Sequence, residues 1–244
     1  MRVALISDVH ANTVALDAVI ADAMGRGMDA IWNIGDLVGY GPEPDAVADT
    51  LRALGAQSVR GNHDAAAIGS LDIERFNPIA AAAIRWTAGI IAPETAGFLR
   101  KMPEVLGIEP ATLAHGTLAD PLWQYLETYD DARDHFARQA SWLSVTGHTH
   151  RPVLIYQDDA GNLSSRLAPI GEPFPLDEAG RWCINPGSVG QPRDGDPRAS
   201  YAILDLGAAA VTYLRVTYDI AATQLRMREL GLPEPLIARL EVGR

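Results

Sequence analysis

"RVALISDVH" (residues 2–10) joins a short apolar run to a carboxylate and an imidazole. Its first part, "RVALIS" (2–7), holds β-formers between polar neighbours and reads as a buried strand. Asn12 then caps a helix in which Leu16, Val19, Ile20, Ala23 and Met24 share one face, with Gly25 or Gly27 at its end. "AIWNIG" (30–35) reads as a second strand, Pro44 opens a second helix that closes at Gly55, and "QSVRG" (57–61) reads as a third strand. Strand and helix alternating in this way predict a parallel sheet with helices on its faces.

Residues 77–101 read as helical with a break near Pro93. A strand-rich half follows, with candidates at 112–116, 141–147, 153–157, 163–168, 182–187, 201–206 and 211–216. "DARDHFARQ" (130–138) reads as a helix among them, and two closing helices over 219–240 split at Gly231–Pro233. No repeat, low-complexity tract or linker interrupts the chain, so residues 1–244 are expected to form a single domain.

The composition is that of an ordinary globular protein, with 48% hydrophobic and 21% charged residues. A chain of 244 residues buries a sizeable core without staples. Cys183 is the single cysteine, which excludes an internal disulfide and a cysteine-based zinc site. The net charge of −11 argues against a broad nucleic-acid-binding face. It does not argue against an anionic substrate, because bound cations reverse the local field. No basic leader precedes an apolar run, and the richest stretch, "IAAAAI" (79–84), stops at Arg85. A cytoplasmic protein without a membrane partner is expected.

Strand ends are where an α/β sheet builds its site, and here the strand ends carry metal-ligating residues. Asp8 and His10 follow the first strand, Asp36 the second, and "RGNHDA" (60–65) the third; His115 in "AHG" and His148 and His150 in "TGHTH" follow later ones. Of six histidines, only His135 lies elsewhere. Each segment alone has an ordinary reading as a turn or a helix cap. Two imidazoles at i and i+2, as in "GHTH", face one side of an extended segment. Together the residues form an oxygen and nitrogen donor set large enough for two divalent ions that share a carboxylate. A structural zinc site needs only four ligands, so the excess favours a binuclear catalytic centre. In an extended loop, Asn62, His63 and Asp64 point to different sides, and their division of labour is open at this point.

The ordered series "DVH", "GD", "GNHD", "HG", "GHTH" over residues 8–150 resembles the calcineurin-like metallophosphoesterases. "GDLVGYGPEP" and "HGTLADPLWQYL" are most similar to compact bacterial members grouped with diadenosine tetraphosphatases and protein phosphatases. The resemblance implies a four-layer α/β sandwich: two mixed sheets flanked by helices, with a di-metal site at strand C-terminal ends. It implies Asp8, His10 and His150 on a first metal, Asn62, His115 and His148 on a second, and Asp36 between them. It implies that His63 faces substrate, as acid or phosphoryl stabiliser, and that Asp64 hydrogen-bonds His63 and raises its pKa.

Two such cations activate a hydroxide for in-line attack on phosphorus without a covalent intermediate. Mixed imidazole and carboxylate ligands suit Mn, Fe, Co, Ni or Zn, with Mn the first choice for assay. Arg60, Arg193 and Arg198 are candidate phosphate clamps; the last two sit in or beside "NPGSVGQPR" (185–193), which resembles a segment common in bacterial members. The expected substrate is a small phosphomonoester, phosphodiester or nucleotide pyrophosphate, with dinucleoside polyphosphates included. In "WQYL" (123–126), Trp123 or Tyr125 is placed to stack on a base, or else to pack the core. The alternatives are a protein Ser/Thr phosphatase and a non-catalytic scaffold on the same fold. No G-x-x-x-x-G-K-[ST] loop and no G-x-S-x-G elbow are present. The sequence does not define the oligomeric state.

Overall fold

The computed structural model describes residues 1–167, 169–177 and 179–244. Its first half runs β1 (Arg2–Ile6), α1 (Thr13–Gly25), β2 (Ala30–Asn33), α2 (Pro44–Ala53), β3 (Gln57–Ser58), α3 (Asn62–Ala67), α4 (Pro78–Ile90), α5 (Pro93–Lys101), β4 (Val105–Ile108) and β5 (Ala111–Ala114). The second runs α6 (Tyr129–Phe136), β6 (Leu143–Val145), β7 (Pro152–Gln157), β8 (Leu163–Arg166), β9 (Phe174–Pro175), β10 (Arg181–Pro186), β11 (Ala199–Asp205), β12 (Ala210–Val216), α7 (Ile220–Glu229) and α8 (Glu234–Val242).

The strands form two six-stranded mixed sheets, ordered β3-β2-β1-β11-β12-β9 and β4-β5-β6-β10-β7-β8. β1, β2 and β3 are parallel, in register Val3↔Ala30 and Asn33↔Ser58, as the alternation of strand and helix predicts. β11 pairs antiparallel with β1, in register Ala4↔Ile203. In the second sheet β5, β6 and β10 are parallel neighbours.

Why the central strands are apolar throughout is visible in the core. Val3 and Leu5 of β1 face the other sheet, packed with Leu113, Val145, Leu154 and Ile184. Ala4 and Ile6 face the helices, packed with Leu16, Val19 and Leu51. A strand buried on both faces has no polar alternation. The far face of the second sheet is covered by α6, where Phe136 meets Ile155 and Cys183. Helices, sheet, sheet and helix make the four layers.

Several expectations are corrected. β3 ends at Ser58, not at residue 61, because the Arg60 amide leaves the sheet to bond the Pro103 carbonyl at 2.8 Å. Asn62, His63 and Asp64 are not in an extended loop; they open α3. Met24 is 58% exposed and does not share the buried face of α1. β4 and β9 are unexpected: β4 has alternate residues exposed, and β9 is two residues long with a proline. The strand expected over 163–168 is observed to Arg166, and Ala168 lies outside the described residues. The break between α4 and α5 and that between α7 and α8 fall where prolines predict them. Among the described residues no helix is long and apolar enough to cross a membrane.

Candidate metal centre and active site

The strand ends that carry the candidate ligands in both sheets meet. Asp8 and His10 leave β1, Asp36 leaves β2, and Asn62 opens α3; His115 leaves β5, and His148 and His150 leave β6. All seven are buried. Their donor atoms form two clusters, Asp8–His10–His150 and Asp36–His115–His148, each with ligand atoms within 4.8 Å of one another. The Asn62 Oδ1 joins the second cluster, 3.1 Å from His115 Nε2.

Each side chain is held by one end and open at the other. His10 Nδ1 meets the Val38 carbonyl at 3.1 Å, His115 Nδ1 the Ile34 carbonyl at 2.7 Å, His148 Nε2 the Trp123 carbonyl at 3.3 Å, and His150 Nδ1 the Gln191 carbonyl at 2.6 Å. A carbonyl only accepts, so each contact makes that nitrogen the N–H and leaves a lone pair on the other. The freed nitrogens face each other, His10 Nε2 and His150 Nε2 at 3.3 Å, and His115 Nε2 and His148 Nδ1 at 3.1 Å. Two facing lone pairs repel unless a proton or cation lies between them.

The carboxylates follow the same plan. Asp8 Oδ2 accepts from the Ser7 hydroxyl at 2.6 Å and the His148 amide at 3.2 Å, while Oδ1 is buried without a hydrogen-bond partner, 3.3 Å from His150 Nε2. Asp36 Oδ1 accepts from the His63 amide at 2.9 Å. Its Oδ2 lies 3.2 Å from His115 Nε2 and 3.7 Å from His10 Nε2, so one oxygen addresses both clusters. A buried, orphaned carboxylate oxygen among converging imidazole lone pairs fits a metal ion.

Burial depresses His10 and His150 well below the ordinary imidazole range and takes His148 to about 3, so these ligands are neutral. His115 moves the other way: burial lowers it, but Asp36 and then Asp8 outweigh this and lift it to about 9. Burial raises Asp36 as well, yet His115 and His63 hold it below the usual carboxylate range. Burial takes Asp8 up to about 6. The two carboxylates thus create a strong local demand for positive charge.

The backbone is strained at these positions. Asp8, His10, Asp36, His148 and His150 all have φ between 49° and 66°, in the left-handed region. Each such residue costs about 1–3 kcal/mol and persists only where its surroundings over-determine it. Here the Asp8 amide bonds the Gly35 carbonyl at 3.1 Å, the His10 amide bonds the Asp36 carbonyl at 2.9 Å, and Gly190 N–H returns to the Asp8 carbonyl at 3.0 Å. Gly61 is required beside them, since a Cβ there would overlap the Asp36 carboxylate.

A cavity of about 470 Å³ opens over the clusters, lined by His63, Tyr40, Phe76, Trp123, Tyr125 and Arg193 among others. His63 packs between Tyr40 and Phe76, with ring centroids at 4.3 and 5.2 Å. Its Nδ1 is buried without a hydrogen-bond partner, and burial takes its pKa down to about 4. A ligand atom of His63 also lies within 4.8 Å of His10 and Asp36.

Asp64 does not hydrogen-bond His63. Its Oδ2 accepts from Gly61 N–H at 2.9 Å and its Oδ1 from Val38 N–H at 3.1 Å. As the third residue of α3 it reaches back to the helix start, which turns it away from the His63 ring. Burial decides the His63 pKa and lowers it, and Asp64 contributes no rise. Of the three arginines, Arg193 reaches the cavity, where it donates to the Gln191 Oε1 at 3.1 Å and meets the Tyr40 hydroxyl at 3.4 Å. Arg60 turns instead to Glu104 at 2.8 Å, and Arg198 closes on Asp196 at 2.6 Å; neither lines the cavity. Trp123 and Tyr125 both line it, and Tyr125 stacks on His148 at 3.9 Å.

Sequence reading misses Tyr40, Arg75 and Phe76, which line the cavity, and Arg239, which shares the Gln191 Oε1 with Arg193 at 3.1 Å. The motif "GYGPEP" contains Tyr40. Nothing local marks Arg75, Phe76 or Arg239, because they arrive from a loop and from the last helix.

With this geometry in view, known proteins place the chain. The sequence model of the calcineurin-like phosphoesterase superfamily domain matches residues 1–209. An uncharacterized protein of Methanocaldococcus jannaschii is 38% identical over 99% of this chain and 98% of its own length. The crystal structure of a metallophosphoesterase from Sphaerobacter thermophilus is 44% identical, with a TM-score of 0.89 over 100% of both chains. A hypothetical protein from Pyrococcus horikoshii shares the fold at 19% identity, with a TM-score of 0.82 over 100% of this chain and 98% of its own. The chain belongs to the calcineurin-like phosphoesterase superfamily.

Proposed function

We propose that this protein is a phosphoesterase that works with two divalent metal ions. Asp8, His10 and His150 would hold the first, Asn62, His115 and His148 the second, and Asp36, which faces both clusters, would serve both. The observation that carries this reading is the single Asp36 oxygen addressed by His10 from one cluster and His115 from the other. When bound, a metal pair of this kind polarises a phosphoryl oxygen and lowers the pKa of a water molecule.

The chain's own residues do the rest. His10, His148 and His150, neutral and anchored on carbonyls, would present fixed lone pairs, while His115, held protonated by Asp36 and Asp8, would release a proton as the cation arrives. His63, at the cavity side of the clusters, donates a hydrogen bond to a phosphoryl or leaving-group oxygen. Arg193, steered by Tyr40 and Gln191, clamps a non-bridging oxygen. Asp64 acts at one remove: it ties the start of α3 to the loop after β2, through the Val38 amide, and so places His63. The substrate is a small phosphoester or a nucleotide, and the favoured metal for assay is Mn.

The test is metal-free protein reconstituted with Mn. Two equivalents per chain are expected, with metal-dependent hydrolysis within a panel of a p-nitrophenyl monoester, a bis-ester, a cyclic nucleotide, a dinucleoside polyphosphate and a phosphopeptide. Tight binding of one equivalent only, or no hydrolysis anywhere in the panel, overturns the reading. Turnover of the phosphopeptide alone would move the assignment to a protein phosphatase.

A further inference from the structure

The aromatic wall of the cavity starts at His63 and leads outward. Phe76 presents an edge to the His63 ring at 5.2 Å, Phe76 and Trp123 meet edge-on at 4.8 Å, and the Arg75 guanidinium lies over the Trp123 ring at 4.4 Å. The segments that carry it lie between α3 and α4 and between β5 and α6, downstream of Asn62 and His115. Phe76 and Trp123 are each only half-buried, and Arg75 is exposed.

The charge pattern is selective. Among the described residues the only carboxylate lining the cavity is Asp36, which belongs to the clusters. Arg75 and Arg193 also line it, and among the described residues neither has a carboxylate partner within 4 Å. In a chain of net charge −11 this is a local concentration of free cations. A volume of about 470 Å³ exceeds the needs of a phosphate alone and lies within the range of sites for drug-sized ligands.

We infer that the substrate is a nucleotide, with its base seated on the wall formed by Phe76, Trp123 and Arg75. The inference rests on the phosphoesterase reading for the position of the phosphate. Aromatic faces and guanidinium planes stack on any base, because every base has a π-face. The order of the wall fits this: His63 stands at the phosphate, Phe76 lies one ring beyond it, and Trp123 with Arg75 lies beyond that. The intervening sugar spans the gap between phosphate and base. A phosphoserine or phosphothreonine side chain offers no planar group at that place, and a simple sugar phosphate leaves the wall uncovered.

The experiment reads binding, so it is independent of turnover. Mn-loaded protein is titrated by calorimetry with two phosphonates in which CH₂ replaces the ester oxygen, one of adenosine and one of ribose. The adenosine compound should bind about tenfold more tightly, the gain of one stacked base. Trp123→Leu should bring the two affinities within about twofold, while Trp123→Phe keeps most of the difference. Arg75 is exposed, so Arg75→Ala tests the wall without risk to folding and should cost about threefold on the adenosine compound. Equal affinities in the unaltered protein, or a preference that survives both Trp123→Leu and Arg75→Ala, overturns the inference. Hydrolysis of p-nitrophenyl esters, measured on the same preparation, separates the two claims. Base preference without any hydrolysis counts against the phosphoesterase reading alone, and hydrolysis without base preference counts against the nucleotide alone.

Discussion

The ligand clusters and the cavity wall lie side by side and are built differently. In the clusters every imidazole is tied to a backbone carbonyl, and each carboxylate has one oxygen saturated by N–H or O–H donors. The backbone there is held in left-handed conformations that loose chains do not keep. The wall has no such anchoring: Trp123 and Phe76 touch through ring edges, and Arg75 is exposed. Rigid clusters beside an adaptable wall suit a protein whose reaction is fixed and whose specificity is tuned separately. Substitutions in the two regions should therefore fail in different ways.

The largest effect is expected at Asp36. Asp36→Asn removes the charge that faces both clusters, and loss of both metals is predicted, with activity down by well over the roughly 10–100-fold typical of a ligand's hydrogen-bond partner. Elemental analysis decides: a variant that keeps two full equivalents shows that Asp36 does not bridge. Next comes His63→Ala, which should keep its metal and lose about 10²–10⁴-fold in rate. The loss should be largest for poor leaving groups and shrink for p-nitrophenolate. Metal stripped from this variant would make His63 a ligand, a role that its position near His10 and Asp36 allows. An equal loss on every ester would make it a phosphoryl binder and not a proton donor.

Asp64→Ala sharpens the contrast between chemistry and support. It leaves two buried amides, Gly61 and Val38, without their acceptor, which should cost about 1–3 kcal/mol of stability for each. Denaturant unfolding at neutral pH measures this directly. If stability is unchanged while the leaving-group dependence shifts as in His63→Ala, Asp64 acts on the histidine after all.

The smallest effect lies outside the site. His135 is buried, accepts from Leu118 N–H at 3.1 Å and pairs with Ser144 Oγ at 2.8 Å; burial lowers its pKa to about 4. An unfolded histidine titrates near 6.5, so the unfolded chain binds the extra proton first. The contribution of the neutral ring is complete above pH 6.5 and is lost as the pH falls from 6.5 towards 4. The slope approaches about 1.4 kcal/mol per pH unit in that window. Unfolding free energies at pH 7.5 and 5 should differ less in His135→Gln than in the unaltered protein. Equal differences would show that His135 is not the group responsible.

How much of this was legible in the sequence follows from the range of each interaction. The candidate ligands are local signals, because they follow strands whose apolar runs are themselves legible: Asp8 after "RVALIS", His148 and His150 after "SWLSVTG". That a sheet would gather them was therefore predictable from the strand ends. Asp64 was misassigned because the two-residue β3 hid a helix start, and a helical third residue reaches back to its own cap. Arg60 and Arg198 were plausible by proximity, but each has a carboxylate, Glu104 or Asp196, that only the fold brings within reach. The wall and Arg239 carry no pattern of their own, since the contacts that give them meaning span loops and the last helix.

β1 carries Asp8 and His10, and it lies between β2 and β11 in its sheet. β11 comprises residues 199–205, nearly two hundred positions later. During synthesis, then, the strand that bears the first two ligands keeps one bare edge until most of the chain has emerged. The last imidazole of the clusters, His150, appears well before that edge is covered, and Arg239, which shares an oxygen with Arg193, appears only at the end. The candidate donors of both sheets are thus all synthesised before β1 gains its second neighbour. A nascent chain in this interval exposes an unpaired strand edge and the candidate donor side chains together, and pairing with β11 covers that edge.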